Sequence, residues 1–335
     1  MPVAEQVNQV VGTLALEEAT YGTPIALVNA DDGCLPYLAD GDPSPPSAIE
    51  YVYDGSIGRA PGNLAPQIRT TPNGRFRQSS FMALFRGTGA NYSASVTPPR
   101  EVHRFLKAAG FDAAYNASPS VQWTYTPTAA GNTFTSLTLR EFMQGSIYEQ
   151  AGVLCDWSYE AVGLGVPIHT FSWRGIVVAA PTDGALPTIA YPFAAQLPPV
   201  ASAVVGNIGA WDAAMIRSVR YARNRSIDNP RVAMNLAGGH AGFVPGGAQP
   251  TMTLVVERSA RSVYNAEAVM AAATPVAVNV QFGGTALARW KHTFAQSQLT
   301  SVTPQNDGPT ATMELVFSAY ASTPSANDFE SVLFN

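Results

Sequence analysis

The sequence predicts a mainly β protein with two short helices, in which one order of elements is written twice. Three observations lead there. Many segments alternate apolar and polar residues with the period of a strand that buries one face. In TMTLVVERS, Met252, Leu254 and Val256 stand opposite Thr251, Thr253, Val255 and Glu257. Two other stretches, REVHRFLKAAGF and SVYNAEAVMAAATP, carry helical spacing. Finally, two long arms rich in glycine, proline and arginine each run between strand-like segments, at 54–80 and 223–250. Connections inside compact domains are usually short, and a long one is commonly functional.

In chain order, residues 1–47 read as an irregular N-terminal arm ending in DGDPSPPSA. A first domain, 48–180, opens with the strand SAIEYVYDG. The arm follows, and then the strand RFRQSSFMALFRG. TPPREVHRFLKAAGF places Val102, Phe105, Leu106 and Ala109 on one helix face. Thr97 suits its cap, the prolines its first turn and Gly110 its end. SVQWTYT, the long segment SLTLREFMQGSIYEQAGVLCDWSYEAVG and GVPIHTFSWRGIVVA read as β. In the long segment Cys155, Trp157, Tyr159 and Ala161 share one face; Asp156, Ser158 and Glu160 share the other. Residues 181–205 read as a proline-rich linker. A second domain, 206–325, repeats the order: MIRSVRYARN, an arm, TMTLVVERS, a helix, then VAVNVQFGG, RWKHTFAQSQLTSV and GPTATMELVFSAYA. Asn265 suits the cap of its helix, Val269, Met270 and Ala273 its apolar stripe, and Pro275 its stop. In the last strand Thr310, Thr312, Glu314 and Ser318 lie opposite Met313, Leu315 and Phe317. Residues 326–335 read as a C-terminal tail. The residues of the two halves barely match, so the repeat rests on order and period.

Composition narrows the function. Of 335 residues 46% are apolar and only 13% charged, against about a quarter charged in ordinary soluble domains. So little charge implies that much surface is hidden, in a large core or between subunits. A net charge of −5 argues against a protein built to grip nucleic acid. It is compatible with a surface past which nucleic acid slides without sticking. Cys34 and Cys155 are too few for a disulfide framework and read as reduced thiols. No signal-peptide pattern opens the sequence and no apolar run is long enough to span a membrane.

Sites for chemistry are not marked out. His103, His169, His240 and His292 show no metal-ligand spacing. His103 reads as a half-exposed structural histidine and His240 as part of an interface arm. There is no nucleophile elbow and no phosphate-binding glycine loop. Asp156 and Glu160 read as an acidic face rather than a glycosidase pair. The sequence therefore reads as non-enzymatic, with no cofactor and no metal. The arm arginines, Arg59, Arg69, Arg75 and Arg77 in the first and Arg217, Arg220, Arg223, Arg225 and Arg231 in the second, lack interleaved aromatic stacking residues. They read as contacts to acidic rims of neighbouring subunits.

Several phrases carry a resemblance. LALEEATYGTPIAL, PPREVHRFLKAAGF, YTPTAAGNTFTSLTLREFMQGSIYEQAGVLCDWSYEAVG, HTFSWRGIVVAAPTDGALP and DGPTATMELVFSAY resemble the tail tube proteins (major tail proteins) of long-tailed bacteriophages, over nearly the whole chain. The resemblance implies two tandem β-sandwich tube domains, each with a flanking short helix, whose sheets join between subunits into a continuous barrel. It implies a virion protein assembled in the host bacterial cytoplasm, stacked as rings around a tape-measure protein. Tail tip and terminator proteins would bound the tube, and double-stranded DNA would pass through it. With two tube domains per chain, three chains would close a pseudo-hexameric ring; single-domain members form hexamers and can append an immunoglobulin-like domain. Under this reading Arg59, Arg69, Arg75, Arg77, Arg223, Arg225, Arg231 and His240 belong to inter-ring or inter-subunit arms. Asp156, Ser158, Glu160, Thr310, Thr312 and Glu314 would face the channel. Two other classes compete. A receptor- or carbohydrate-binding β-sandwich module would show an exposed aromatic groove on a stable monomer. A hydrolase with dispersed groups would show a pocket of perturbed carboxylates.

Overall fold

The computed structural model describes residues 10–27, 33–34, 50–53, 57–58, 67–68, 72–83, 100–117, 122–129, 134–143, 146–163, 165–179, 181–184, 205–212, 214–227, 229–232, 240–283, 289–323 and 326–334. The first half contains β1 (Val10–Glu17), β2 (Gly33–Cys34), β3 (Glu50–Tyr53), β4 (Ile57–Gly58), β5 (Gln67–Ile68), β6 (Pro72–Ala83) and α1 (Arg100–Ala108). It continues with β7 (Phe111–Asn116), β8 (Gln122–Pro127), β9 (Leu137–Met143), β10 (Ser146–Val162), β11 (Ile168–Val177) and β12 (Thr182–Asp183). The second half contains β13 (Val205–Ile208), β14 (Ile216–Ala222), β15 (Asn229–Val232), β16 (His240–Val244), β17 (Thr251–Glu257) and α2 (Ala266–Ala271). It closes with β18 (Val276–Phe282), β19 (Trp290–Asp307), β20 (Thr310–Ala319) and β21 (Glu330–Phe334). The protein is mainly β, as expected, and its strands form a large antiparallel sheet.

Apart from two small hairpins, β4–β5 and β15–β16, the strands belong to that one sheet. In the first half neighbours run β1–β9–β10–β11–β6–β3. In the second they run β13–β18–β19–β20–β17–β14. The two orders correspond in chain order as well. Each half opens with a strand that pairs with the one just before the long strand, β1 with β9 and β13 with β18. Each places its small hairpin between two strands that pair with each other, and each puts its helix after the second of them. The long strands match in length, 17 residues in β10 and 18 in β19. β12 and β21 both return beside the start of the long strand. Among the described residues the hairpin β7–β8 has no counterpart in the second half.

Among the described residues two strand pairings join the halves: Ser158–Val162 of β10 with β14, and β21 with β8. The sheet wraps into a barrel; among the described residues the pairings traced strand by strand branch without returning to a strand already passed, which leaves open edges there. Both halves feed one core. Trp157 meets Tyr221 at 4.8 Å between ring centroids, Tyr159 meets Trp290 at 5.0 Å, and Phe282 stacks on Trp290 at 4.5 Å. Each such side chain, fully buried, contributes roughly 1.5–3 kcal/mol.

α1 forms as its spacing predicts. Val102, Phe105, Leu106 and Ala109 are all fully buried, with Phe105 against Phe171 and Trp173. Gly110 ends the helix at φ +89°, where any Cβ would also strike the Arg225 guanidinium at 2.7 Å. Thr97 lies outside the described residues. In α2 the Asn265 side chain caps by accepting from the Ala268 N–H. Val269 and Met270 are half-buried, but Ala273 is exposed, because the helix has already ended at Ala272.

Several expectations change. Val10–Glu17, read as irregular arm, is a sheet strand paired with β9 along its length. The long β segment is two strands, β9 and β10, which pair with each other. β7 and β13 were not foreseen, and the expected tail contains β21. The first arm gives way to β6 at Pro72, and β12 and the first residue of β13 fall within the expected linker. His103 is buried rather than half-exposed; its ring bonds the Tyr125 hydroxyl at 2.9 Å and stands edge-on to Trp123. Among the described residues no helix is long and apolar enough to cross a membrane.

Candidate functional site

The second half's sheet, joined to the end of β10, presents one continuous non-core face. Cross-strand register aligns Glu160 with Arg220, Arg220 with Thr253, Val255 with Glu314, and Glu314 with Thr303. The opposite faces of these strands supply Tyr159, Tyr221, Leu254 and Leu315 to the core. The non-core face therefore gathers Ser158, Glu160, Ser218, Arg220, Thr251, Thr253, Glu257, Glu314, Ser318, Ser301, Thr303 and Gln305. It is dense in hydroxyls and its charges are mostly paired. Arg220 binds Glu160 at 2.7 Å, Arg217 binds Glu257, and Gln305 donates to Glu314 at 3.2 Å. The hydrogen bond from Arg220 to Glu160 raises the guanidinium's pKa. A groove of about 750 Å³ opens at one end, lined by Ser158, Glu160, Ile168, Arg220 and Ala222.

Of the six residues expected to face a channel, Ser158, Glu160 and Glu314 share this face. Thr310 sits beside the β19–β20 turn, opposite Asp307. Thr312 is only 1% exposed, between Glu257 and Gln305 in the adjacent strands. It cannot itself meet a channel. Asp156 is covered by the chain after β14 and accepts from the Arg225 N–H at 3.2 Å. Burial raises its pKa above the usual carboxylate value, against that hydrogen bond and the nearby arginines.

The arm arginines divide. Arg59 and Arg69 lie outside the described residues. Arg75 and Arg77 lie within β6, where their backbones pair with Tyr51 and Gly175. Arg231 and His240 lie in the β15–β16 hairpin. Arg223 and Arg225, expected to reach a neighbouring subunit, are buried inside this chain, 3% and 5% exposed. They fasten the second half onto the C-terminal end of α1. Arg225 donates to the Ala108 carbonyl and lies over Phe134; Arg223 donates to the Gly110 carbonyl and lies over Phe111 at 3.7 Å. Cations at a helix C-terminus meet its unpaired carbonyls and the negative end of its dipole. Burial, then the charge of Arg223, lowers the pKa of Arg225 to about 10, so it stays charged at neutral pH. The β15–β16 hairpin also folds onto the first half. Phe243 packs with Leu154 and Ile227, and its N–H donates to the Tyr21 hydroxyl at 2.7 Å.

Beneath this clasp lies a buried polar group that the sequence did not reveal. Arg223 pairs with Glu330 at 2.8 Å, Tyr221 donates to Glu330 at 2.7 Å, and His292 stands 3.5 Å from the same carboxylate. The Tyr159 hydroxyl meets His292 Nδ1 at 3.1 Å. Burial alone would raise the Glu330 pKa, but the Arg223 charge and the bonds from His292 and Tyr221 outweigh it, and the carboxyl stays below its ordinary value. His292 and His169 are lowered by burial, and His103 is lowered to about 3 by burial and then by Lys107 and Arg104. A group whose folded pKa is depressed stabilises the fold above its unfolded pKa and loses that contribution as pH falls toward the folded value. All three histidines act in this direction. Stability should therefore drop as pH falls below about 6.5. His103 alone, moved from 6.5 to about 3, withdraws roughly 2 kcal/mol by pH 5. Urea unfolding at pH 7 and pH 5 checks this: His103→Gln should flatten the dependence, and equal stability at the two pH values would contradict it.

The sheet's open edges complete the geometry. Among the described residues β3 pairs only with β6. The side of β19 away from β20 is paired with β18 only as far as Ser297. Beyond that point Thr303–Asp307 are exposed and include Pro304. Proline lacks a ladder donor and is confined to edges. Among the described residues no three His, Cys, Asp or Glu side chains stand together as a metal site. Cys155 is a buried free thiol whose pKa burial raises. Comparison with models of known protein families and with curated proteins yields no match.

Proposed function

We propose that the chain is a structural, non-enzymatic subunit of a bacteriophage tail tube. Its two halves act as tandem tube-like domains, and copies join edge to edge into rings that stack around a tape-measure protein. One observation carries the reading. Within the chain, the far end of the first half's long strand, β10, receives β14, the edge strand of the second half. The corresponding elements at the chain's two ends are the far end of β19 and the strand β3, and among the described residues both edges are open. Open edges that match in this way recruit another copy head to tail, and such contacts close into rings when the rotation permits. Two domains per chain favour three chains per ring. The hydroxyl-rich face with paired charges suits a channel wall that double-stranded DNA passes without binding. Ends of the tube would meet tail tip and terminator proteins, and the mature location is the virion tail after assembly in the host cytoplasm.

A carbohydrate-binding module draws support from one feature, Trp211 stacked on Tyr264 at 4.7 Å beside a groove. That groove has few polar side chains, and one of them, Asn265, is committed to capping α2. Electron microscopy of the purified protein, fresh and after concentration, tests the proposal. Hollow rings or tubes are expected. A chain that stays monomeric and also refuses to polymerise with tape-measure and tip proteins would overturn it.

A further inference from the structure

The groove beside α2 encloses about 530 Å³ and is lined by Ile208, Trp211, Val263, Tyr264, Val269 and Val276 among others, with no charged residue. The Tyr264 hydroxyl is buried there without a hydrogen-bond partner, and burial raises its pKa to about 12. The corresponding place in the first half is filled. There, the chain leaving β14 sets Arg225 and Arg223 against the carbonyls at the end of α1, over Phe134 and Phe111. Phe134 lies three residues before the start of β9, as Thr274 and Pro275 lie just before β18, and the pairing orders of the two halves correspond. In the second half the equivalent chain would be the one leaving β3, and β3 lies at the opposite end of the sheet.

We infer that this groove is the socket for a second copy of the chain, which seats the start of its first arm, residues 54–59, at the C-terminal end of α2. The inference rests on the ring reading above and deepens it by naming the contact. The arm's sequence, DGSIGR, suits the socket. Ile57 supplies apolar filling. Arg59, the first arginine after β3, supplies the cation that Arg223 and Arg225 supply within the chain. An arginine over the Trp211–Tyr264 pair gains a cation–π contact and can donate to the Tyr264 hydroxyl and the helix-end carbonyls.

The test places the photo-crosslinker benzoylphenylalanine at Val263, which lines the groove yet is 62% exposed, in the full chain. Samples are irradiated under assembling conditions and the linked peptides mapped by mass spectrometry. Inter-chain links to residues 54–71 are expected, and Arg59→Glu should lower their yield about tenfold. Links to another segment of the second copy, or only within the same chain, would overturn the inference. Microscopy of the same samples keeps the two ideas apart: rings with links elsewhere overturn this contact alone, whereas absent rings and absent links overturn both.

Discussion

Replacing Glu330 by alanine should destabilise the isolated chain by about 3–5 kcal/mol, because it leaves a buried guanidinium without its counter-charge. Arg223 and Glu330 are almost completely buried and 2.8 Å apart. Glu330 also accepts from Tyr221 and opens β21, the strand that links β19 of the second half to β8 of the first. Loss of the carboxylate therefore weakens a seam between the halves as well as a pair. Urea unfolding measures the effect. The double variant Arg223→Met/Glu330→Leu should lie closer to the native protein than the sum of the single changes, since removing both charges removes the uncompensated one. A loss below about 1 kcal/mol for Glu330→Ala would mean that the pair does not hold the seam.

Blocking the open edge of β19 should abolish rings while sparing the fold. Pro304 is accommodated in that strand where its missing donor faces away from β20. Residues alternate in the edge they serve, so Val302 and Asn306 share the direction of Pro304. In the double variant Val302→Pro/Asn306→Pro, the strand loses two donors on its open side and keeps those that bond β20. Ring yield on size exclusion and by microscopy should fall by tenfold or more, on the order of the 1.4 kcal/mol that each decade requires. Circular dichroism should remain native. Rings at normal yield would show that this edge is not the joint.

What could be read in the sequence followed local period. The helix α1 is set by Val102, Phe105, Leu106 and Ala109. The core faces of β17, of β10 from Cys155 to Ala161 and of β20 from Met313 to Phe317 follow unbroken alternation. The grouping of Ser158 and Glu160 with Glu314 follows the same alternation in two strands. Where Arg223, Arg225, Glu330 and Thr312 departed from expectation, the cause was a partner distant in sequence. Arg223 and Arg225 sit in a Gly/Pro/Arg-rich stretch and read as solvent-seeking, yet their partners are the end of α1, Phe111, Phe134 and Glu330. Glu330 itself, in the expected tail, gives no local sign of burial. Thr312 alternates correctly but is covered by neighbouring strands. The groove at α2 was hidden for the same reason, since Trp211 and Tyr264 belong to segments far apart in the chain.

The mass of the assembled ring tests the central claim most directly, because that claim is that one chain supplies two equivalent positions and joins the next head to tail. Native mass spectrometry of rings disassembled from tubes should find three copies of the 35.4 kDa chain. Six copies would contradict the tandem use of the two halves. A two-chain species closed face to face, or a monomer at every concentration and with every tail partner, would contradict the edge-to-edge joint.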